Sequence, residues 1–394
     1  LFWQAVFFAP ACVAVVCFSK SQYSVYQPLA KPILAHYLVR KIYYAMAQQK
    51  KLRILSLDGG GIRGIIPATI LVEIEDRLQK HPKGNPDARL ADYFDLIAGT
   101  STGGILTALY LCPDKQGRPR FSASEALDLY LVNGQQIFQM EFLQRTAKLY
   151  VLFNEMYPKK YIEALLETYF ADQMLSELLK PCLITSYDIR NRRGHFFSSV
   201  DAKKKPIYDY KLKDVCRATS AAPTYFEPAK FASEQGADYT LVDGGVFVNN
   251  PALAAYSEAR SVDFSKILGP DKPNEPSAKE MLLISIGTGS VKRPYKWDDI
   301  KHAGLISWLP IVIDVMMSGN SETVDYHLTK MFGTLKEADR KDYIRLEPEL
   351  ADASSEMDEV SGDNLINLHN AGLQFVAKND AILDEIVEKL IENH

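Results

Sequence analysis

Three short apolar runs in this chain each close in a glycine cluster that carries a serine or an aspartate. The first, Leu52-Arg53-Ile54-Leu55-Ser56-Leu57, stops at Asp58-Gly59-Gly60-Gly61-Ile62-Arg63-Gly64. The second, residues 93–98, stops at Gly99-Thr100-Ser101-Thr102-Gly103, and the third, residues 239–242, at Asp243-Gly244-Gly245. Helical patterning follows the first two. Residues 65–78 carry Ile66, Ile70, Ile74 and Leu78 at four-residue spacing, with Pro67 tolerated in the first turn, and residues 102–111 form the next helix. Apolar runs too short for helices, alternating with helical stretches, are how parallel strands feed crossover helices. The pattern predicts an α/β fold in three layers, with a central, mostly parallel sheet between helices.

Further strands are expected at 182–187, 195–200 and 281–286, with mainly helical structure over 121–180, including 175–179. Residues 269–279, rich in Pro, Asp and Lys, read as a surface loop; the stretch 337–363 is acidic, and its Ser354-Ser355 region reads as exposed loop. Ile382, Ile386 and Leu390, with Leu383 and Val387, mark a C-terminal amphipathic helix packed on the core. The Trp308–Ile313 run, between Gly304 and Gly319, is a candidate mobile apolar cover. Aromatic pieces at 138–142, Trp297 and Trp308 are read mainly as core, with an acyl pocket or interfacial rim as the alternative. No internal repeat is found.

The glycine-bounded serine has a chemical reading. In G-x-S-x-G between strand and helix, the turn is too tight for a Cβ beside the serine, and it thrusts the hydroxyl out at a helix N-terminus. Ser101 is the candidate nucleophile, with Gly99 and Gly103 as the elbow glycines. The loop at Gly59, Gly60 and Gly61 has three readings. Gly59, Gly61 and Gly64 match G-x-G-x-x-G, but residues 78–82 resemble a helix end rather than a second strand closing in an acidic residue, and no G-K-[ST] is present. A phosphate cradle for a nucleotide is the second reading, and an oxyanion hole the third. Arg63 either binds an anionic head group or braces the loop. Asp243, freed at a strand end by glycines, either shares the serine's sheet edge or belongs to an ordinary Asp-Gly turn.

In this order, DGGGIRG, GTSTGG and DGGVFVNNP resemble the signature blocks of the patatin-like phospholipases. Residues 218–226 (ATSAAPTYF) and 283–289 (LISIGTG) resemble two further blocks of that family. The similarity spans residues 52–289 well and the remainder loosely, with 46–394 as one acyl hydrolase domain. The resemblance implies a Ser–Asp dyad: Ser101 attacks an ester carbonyl, Asp243 is the general base, and Gly59, Gly60 and Gly61 form the oxyanion hole. It also implies phospholipid, lysophospholipid or neutral acyl-lipid substrates, with transient contact at a membrane surface.

Rival readings keep other chemistry in view. His302, His327 or His369 would complete a Ser–Asp–His triad in an α/β-hydrolase esterase, and the Gly59–Gly64 loop would serve a nucleotide-binding protein. No calcium-binding D-x-[DN]-x-[DN]-G stretch is present, so metal and cofactor independence is expected. The net charge of −4 gives no global attraction to nucleic acid or anionic membranes. Basic groups at Lys159-Lys160, 190–193 and 203–205 read as solvated loops that can meet head groups. Five scattered cysteines fit neither a disulfide framework nor a zinc site and favour a reducing compartment.

Residues 1–45 lie outside the resemblance. Residues 1–18 are apolar except for Gln4 and Pro10, close to the ~20 residues that a membrane-spanning helix needs. Three readings are open: an untypical signal anchor lacking a basic start, translated sequence upstream of a start at Met46, or a buried or interfacial helix. The expected location is cytoplasmic with membrane association, the N-terminal anchor or signal segment being left open.

Overall fold

The computed structural model describes residues 6–8, 12–14, 50–137, 157–233, 235–236, 238–290, 295–301 and 304–394. Two compact units divide the chain, residues 1–49 and 50–394. Within the first, strand β1 (Val6–Phe8) pairs antiparallel with β2 (Cys12–Ala14), Val6 opposite Ala14. These residues are strand, not helix. Pro10 falls between them, and a proline cannot donate the backbone bond that a helix through this run requires. The rest of residues 1–45, and the readings that fall there, lie outside the described residues. Among the described residues no helix is long and apolar enough to cross a membrane.

The second unit is built on an eight-stranded mixed sheet. Its strands are β3 (Leu52–Leu57), β4 (Leu96–Thr100), β5 (Cys182–Asp188), β6 (Arg193–Ser198), β7 (Ala229–Ala232), β8 (Asp238–Asp243), β9 (Met281–Ile286) and β10 (Tyr343–Leu346). The order is β10-β9-β3-β4-β5-β8-β7, with β6 also paired to β5. The run from β10 to β5 is parallel; β6, β8 and β7 join antiparallel. β3, β4 and β9 are buried along their whole length, which explains their nearly continuous apolar sequences.

Helices cover both faces, as the alternation along β3 requires. Leu55 and Leu57 join a core with α1 (Ile65–Lys80), α2 (Thr102–Leu111), α3 (Ala123–Ile137), α4 (Lys159–Phe170) and α5 (Leu212–Thr219). Leu52 and Ile54 point the other way, to α6 (Ala252–Ala259) and to Val324, Leu328 and Phe332 of α7 (Leu305–Gly333). Helices α8 (Gly362–Lys378) and α9 (Asp380–Glu392) close the first core through Leu365, Leu368, Leu383 and Ile386, while Ile382 faces solvent.

Several expectations shift. The strand expected at 93–98 begins at Leu96, because residues 90–93 form a helical turn whose Asp92 carboxylate accepts the Arg89 N–H at 2.9 Å. The strand expected at 195–200 ends at Ser198, whose hydroxyl caps a helix over Ser199–Lys204. Only Leu175–Glu177 of 175–179 is helical, as a single 3-10 turn. The acidic stretch 337–363 contains β10, too short and too exposed on one side to stand out from its flanks. The Trp308–Ile313 run is part of the 29-residue helix α7.

The 269–279 loop sends one side chain inward. Lys272 Nζ lies 2.7 Å from Asp95 Oδ2, and Arg53 grips the same carboxylate through Nη2 (2.8 Å), Nε (3.0 Å) and its backbone N–H (2.9 Å). Burial alone would raise the Asp95 pKa, but Arg53 and Lys272 more than offset it and hold the carboxyl below its usual range. Lys272 Nζ also reaches the Lys51 and Asn393 carbonyls, so one buried triad joins the sheet, the loop and the C-terminal helix. Removing one partner of such a group leaves buried charge without compensation. Asp95→Ala is therefore expected to destabilise this unit by about 3–5 kcal/mol, read as a lowered urea midpoint.

Candidate active site

Strand β5 acts as a ruler for the site. Its residues Thr185 and Ser186 pair on one side with Phe196 and His195 of β6. On the other side Thr185 pairs with Thr100, the last residue of β4, and Ser186 pairs with Asp243, the last residue of β8. β4 runs parallel to β5 and β8 antiparallel, so the two strands share one edge and end head to head. The residue after Thr100 therefore meets Asp243, although 142 positions separate them: Ser101 Oγ donates to Asp243 Oδ2 at 2.5 Å. The Thr100 hydroxyl shares a 2.7 Å bond with that of Thr185 and donates to the Val248 carbonyl, locking the end of β4.

Ser101 sits at φ 55° and ψ −120°, a backbone region that L residues rarely occupy and that stores strain. A Cβ on Gly99 would lie 2.1 Å from the Gly103 carbonyl oxygen, and one on Gly103 would lie 2.2 Å from that of Leu57. Only glycine fits either flank of the turn. The Ser101 N–H donates to Thr219 Oγ1 at 2.8 Å, and the Thr219 hydroxyl donates onward to the Thr185 carbonyl. That assigns a structural role to the 218–226 segment, which sequence reading singled out without one. α2 starts at Thr102, so the serine sits at a helix N-terminus.

The glycine loop narrows the expected donor set. The Gly59 N–H donates to the Asn249 carbonyl at 3.1 Å and is not free for a ligand. The N–H groups of Gly60 and Gly61, both lining the pocket over Ser101, have no partner among the described residues. Gly61 adopts φ 59°, and a Cβ there would lie 2.3 Å from the Met357 carbonyl, which accepts the Ile62 N–H at 2.9 Å. Upstream, Asp58 is gripped by Arg345 through two bonds of 2.9 and 2.6 Å. Arg63 is 8% exposed; its Nε donates to the Gly60 carbonyl at 3.4 Å, and the side chain lines a polar cleft with Asp314 and Glu347. The loop-bracing contact is present but long.

Asp243 is buried, and burial pushes its pKa up to about 7 against the opposing hydrogen bonds from Ser101 and from the Gly245 N–H, the latter 2.7 Å from Oδ1. Above the pair lies a pocket of about 890 Å3, its open mouth included, walled by Ile105, Ile137, Ile162, Phe226, Ile313 and Met317. Residues 138–142 fall outside the described set. Trp297 is 75% exposed and Trp308 is also at the surface; neither is core nor lines the pocket. Among the described histidines none bonds to Asp243. His195 is half-buried among Phe197, Tyr210 and Tyr239, where desolvation depresses its pKa to about 4; His369 meets Thr69 at 3.0 Å; His327 is exposed. His36 and His302 lie outside the described residues. Lys159, Arg190 and Lys204 of the basic groups are paired internally, with Glu227, Asp238 and Asp201.

A family model described as "Patatin-like phospholipase" matches residues 55–256, which hold all three glycine turns. Patatin-like protein 2 of Oryza sativa subsp. indica is 37% identical over 358 residues, 85% of this chain and 86% of that one. The chain belongs to the patatin-like phospholipase family. Patatin-like protein 2 of Arabidopsis thaliana is 39% identical over 346 residues (82% and 83% of the two chains), and Patatin group D-2 of Solanum tuberosum 34% over 344 residues (84% and 85%). Human GIVD cytosolic phospholipase A2 superposes with a TM-score of 0.43 at 11% identity, over 88% of this chain and 61% of that one. For this patatin-like chain the mixed, mostly parallel sheet with helices on both faces is the architecture expected from its sequence.

The raised Asp243 pKa also bears on stability. A carboxyl whose folded pKa lies above its unfolded value keeps its proton longer in the folded state. Stability therefore falls as pH rises from about 4 to about 7, and the loss is complete above that window. A shift of this size corresponds to about 4 kcal/mol as an upper bound. Asp243→Asn is expected to raise the melting temperature at pH 8 and leave it nearly unchanged at pH 4; calorimetry at the two pH values checks this.

Proposed function

We propose that this chain is a lipid acyl hydrolase acting through a Ser101–Asp243 dyad and an acyl-enzyme. The observation that carries the reading is the 2.5 Å contact between a serine on a strained turn and a buried carboxylate whose pKa lies near 7. A base with a pKa near the working pH serves proton transfer best. The Ser101 proton passes to Asp243 Oδ2 as Oγ bonds to the ester carbonyl carbon. The developing oxyanion takes the unpaired N–H groups of Gly60 and Gly61, beside the N-terminus of α2. Collapse expels the alcohol, which takes the proton from Asp243 and leaves the acyl group on Oγ. Water then gives Asp243 a proton as it attacks the acyl carbon, and collapse releases the fatty acid as Ser101 Oγ takes that proton back from Asp243. No histidine enters the cycle.

The pocket's apolar walls support an acyl chain as the group recognised, and the family supports phospholipids, lysophospholipids or neutral acyl lipids as its source. Arg63 braces the glycine loop in this reading, its guanidinium turned to the neighbouring polar cleft.

A fluorophosphonate probe is expected to label Ser101 alone, with labelling lost in both Ser101→Ala and Asp243→Asn; peptide mapping of the adduct identifies the residue. Loss of the serine should lower kcat on the order of 10⁴-fold or more, and Asp243→Asn about 10³-fold. Because the deprotonated carboxylate is the active form, kcat/KM should fall about tenfold per pH unit below about pH 7 and level off above it. A profile flat from pH 5 to pH 8 would remove Asp243 as the base. Replacing any histidine should leave turnover in place, and a chelator should not change it.

A further inference from the structure

We propose that the solvent-facing stripe on the N-terminal half of α7 is a docking surface for a lipid–water interface. The proposal rests on the acyl hydrolase reading of the pocket beneath it. α7 changes character along its length: Val324, Leu328 and Phe332 are buried in the core, whereas Trp308, Val312, Val315 and Met316 are between 39% and 53% exposed. At helical spacing these four positions fall within an arc of about 100°. No charged residue shares that arc from Trp308 to Gly319.

The flanks of the same helix show what would lie against the stripe. Ile313, Met316 and Met317 turn to the pocket that holds Ser101 and Asp243, while Asp314, Ser318, Ser321 and Asp325 turn to the polar cleft on the opposite flank. Met316 belongs to both stripe and pocket wall, so apolar surface runs without a break from solvent to the acyl site. An acyl chain leaving a bilayer against this stripe would reach the serine without crossing water. A half-exposed tryptophan among aliphatic side chains is the composition that settles at the boundary between head groups and acyl chains.

Charge supports the same occupant. The β5–β6 turn lies at the end of the sheet where Ser101 meets Asp243, and its Arg192 and Arg193 have no carboxylate partner among the described residues. Phe247 ties that hairpin to α7: its ring packs on Tyr187 and Phe196, with centroids 5.6 and 5.8 Å apart, and its carbonyl accepts from Asn320 Nδ2 at 2.8 Å. On a chain of net charge −4, such local cations at the end of the sheet that holds the site favour the anionic head groups that the molecule as a whole does not attract.

The test uses the full chain with Ser101→Ala, so that binding is read without turnover, and flotation with phosphatidylcholine vesicles containing phosphatidylserine. Adding Val312→Asp and Val315→Asp, neither of which lines the pocket, should weaken flotation on the order of tenfold or more. With Ser101 restored, the same pair should lose turnover of vesicle lipid while hydrolysing a water-soluble short-chain aryl ester within about twofold of the parent. Should the pair not fold, Val315→Asp alone, at the most exposed of the four positions, gives the same reading. Undiminished flotation overturns the proposal. So does a dimer that the aspartates dissolve without changing flotation, which would make a second copy of the chain the occupant. If the unsubstituted chain turns over neither substrate yet floats in a stripe-dependent way, the hydrolase reading fails and the docking surface stands.

Discussion

The site depends on a shared strand edge. β5 offers one side to two partners in succession: β4, parallel, as far as Thr185, and β8, antiparallel, from Ser186 onward. With the parallel strand first along that edge and the antiparallel one after it, the two meet at their C-terminal ends, and the residues at that junction face each other whatever the sequence distance between them. Serine and carboxylate thus come together through backbone ladders, which are far stiffer than side-chain contacts. A one-residue slip of β8 along β5 would turn Asp243 to the opposite face of the sheet and empty the site.

Holding the junction requires the surrounding structure to over-determine it. Ser101 is in a strained conformation, and Asp243 is buried without a cation beside it. Contacts from distant segments meet that demand: Thr219 takes the Ser101 N–H, Asn320 of α7 accepts the backbone N–H groups of Asn249 and Asn250, and Arg345 holds Asp58 at the root of the glycine loop. None of these groups touches Ser101 Oγ. Each fixes one part of the surroundings of the Ser101–Asp243 pair.

The parts of this arrangement that were legible in the sequence are those where local chemistry is decisive. Gly99 and Gly103 are forced by carbonyl oxygens about two ångströms from where a Cβ would sit, so the elbow is written in the residues that form it. The buried strands β3 and β9 read correctly end to end because burial on both faces leaves uninterrupted apolar runs. What the sequence hid was pairing at a distance. β10 is four residues long, with only Leu346 fully buried, yet its Arg345 clamps the first glycine turn. Lys272, in a segment with every mark of a surface loop, is drawn inward by Asp95. Gly59 looks equivalent to its two neighbours until Asn249, 190 positions on, takes its N–H. These contacts are set by the sheet order, which no local pattern encodes.

Among the described residues no histidine partners Asp243, and the same geometry accounts for it. An imidazole between serine and aspartate separates the two oxygens by the width of a ring and lets the carboxylate remain a fully ionised, hydrogen-bonded anchor. Here the shared edge of β5 brings Ser101 Oγ to 2.5 Å from Asp243, which leaves no room for a ring. In the proposed mechanism the carboxylate is then the base itself, and an ordinary aspartate is too weak a base near neutral pH. Burial without a neighbouring cation raises its pKa, and burial is the leading cause of the shift. The described buried cations sit elsewhere: Arg53 and Lys272 on Asp95, Arg63 at the Gly60 carbonyl, and Arg217 at the Glu227 carbonyl beside Glu163. In the proposed mechanism a cation moved beside Asp243 would lower its pKa and weaken the base, so the charge distribution within the sheet is part of that chemistry.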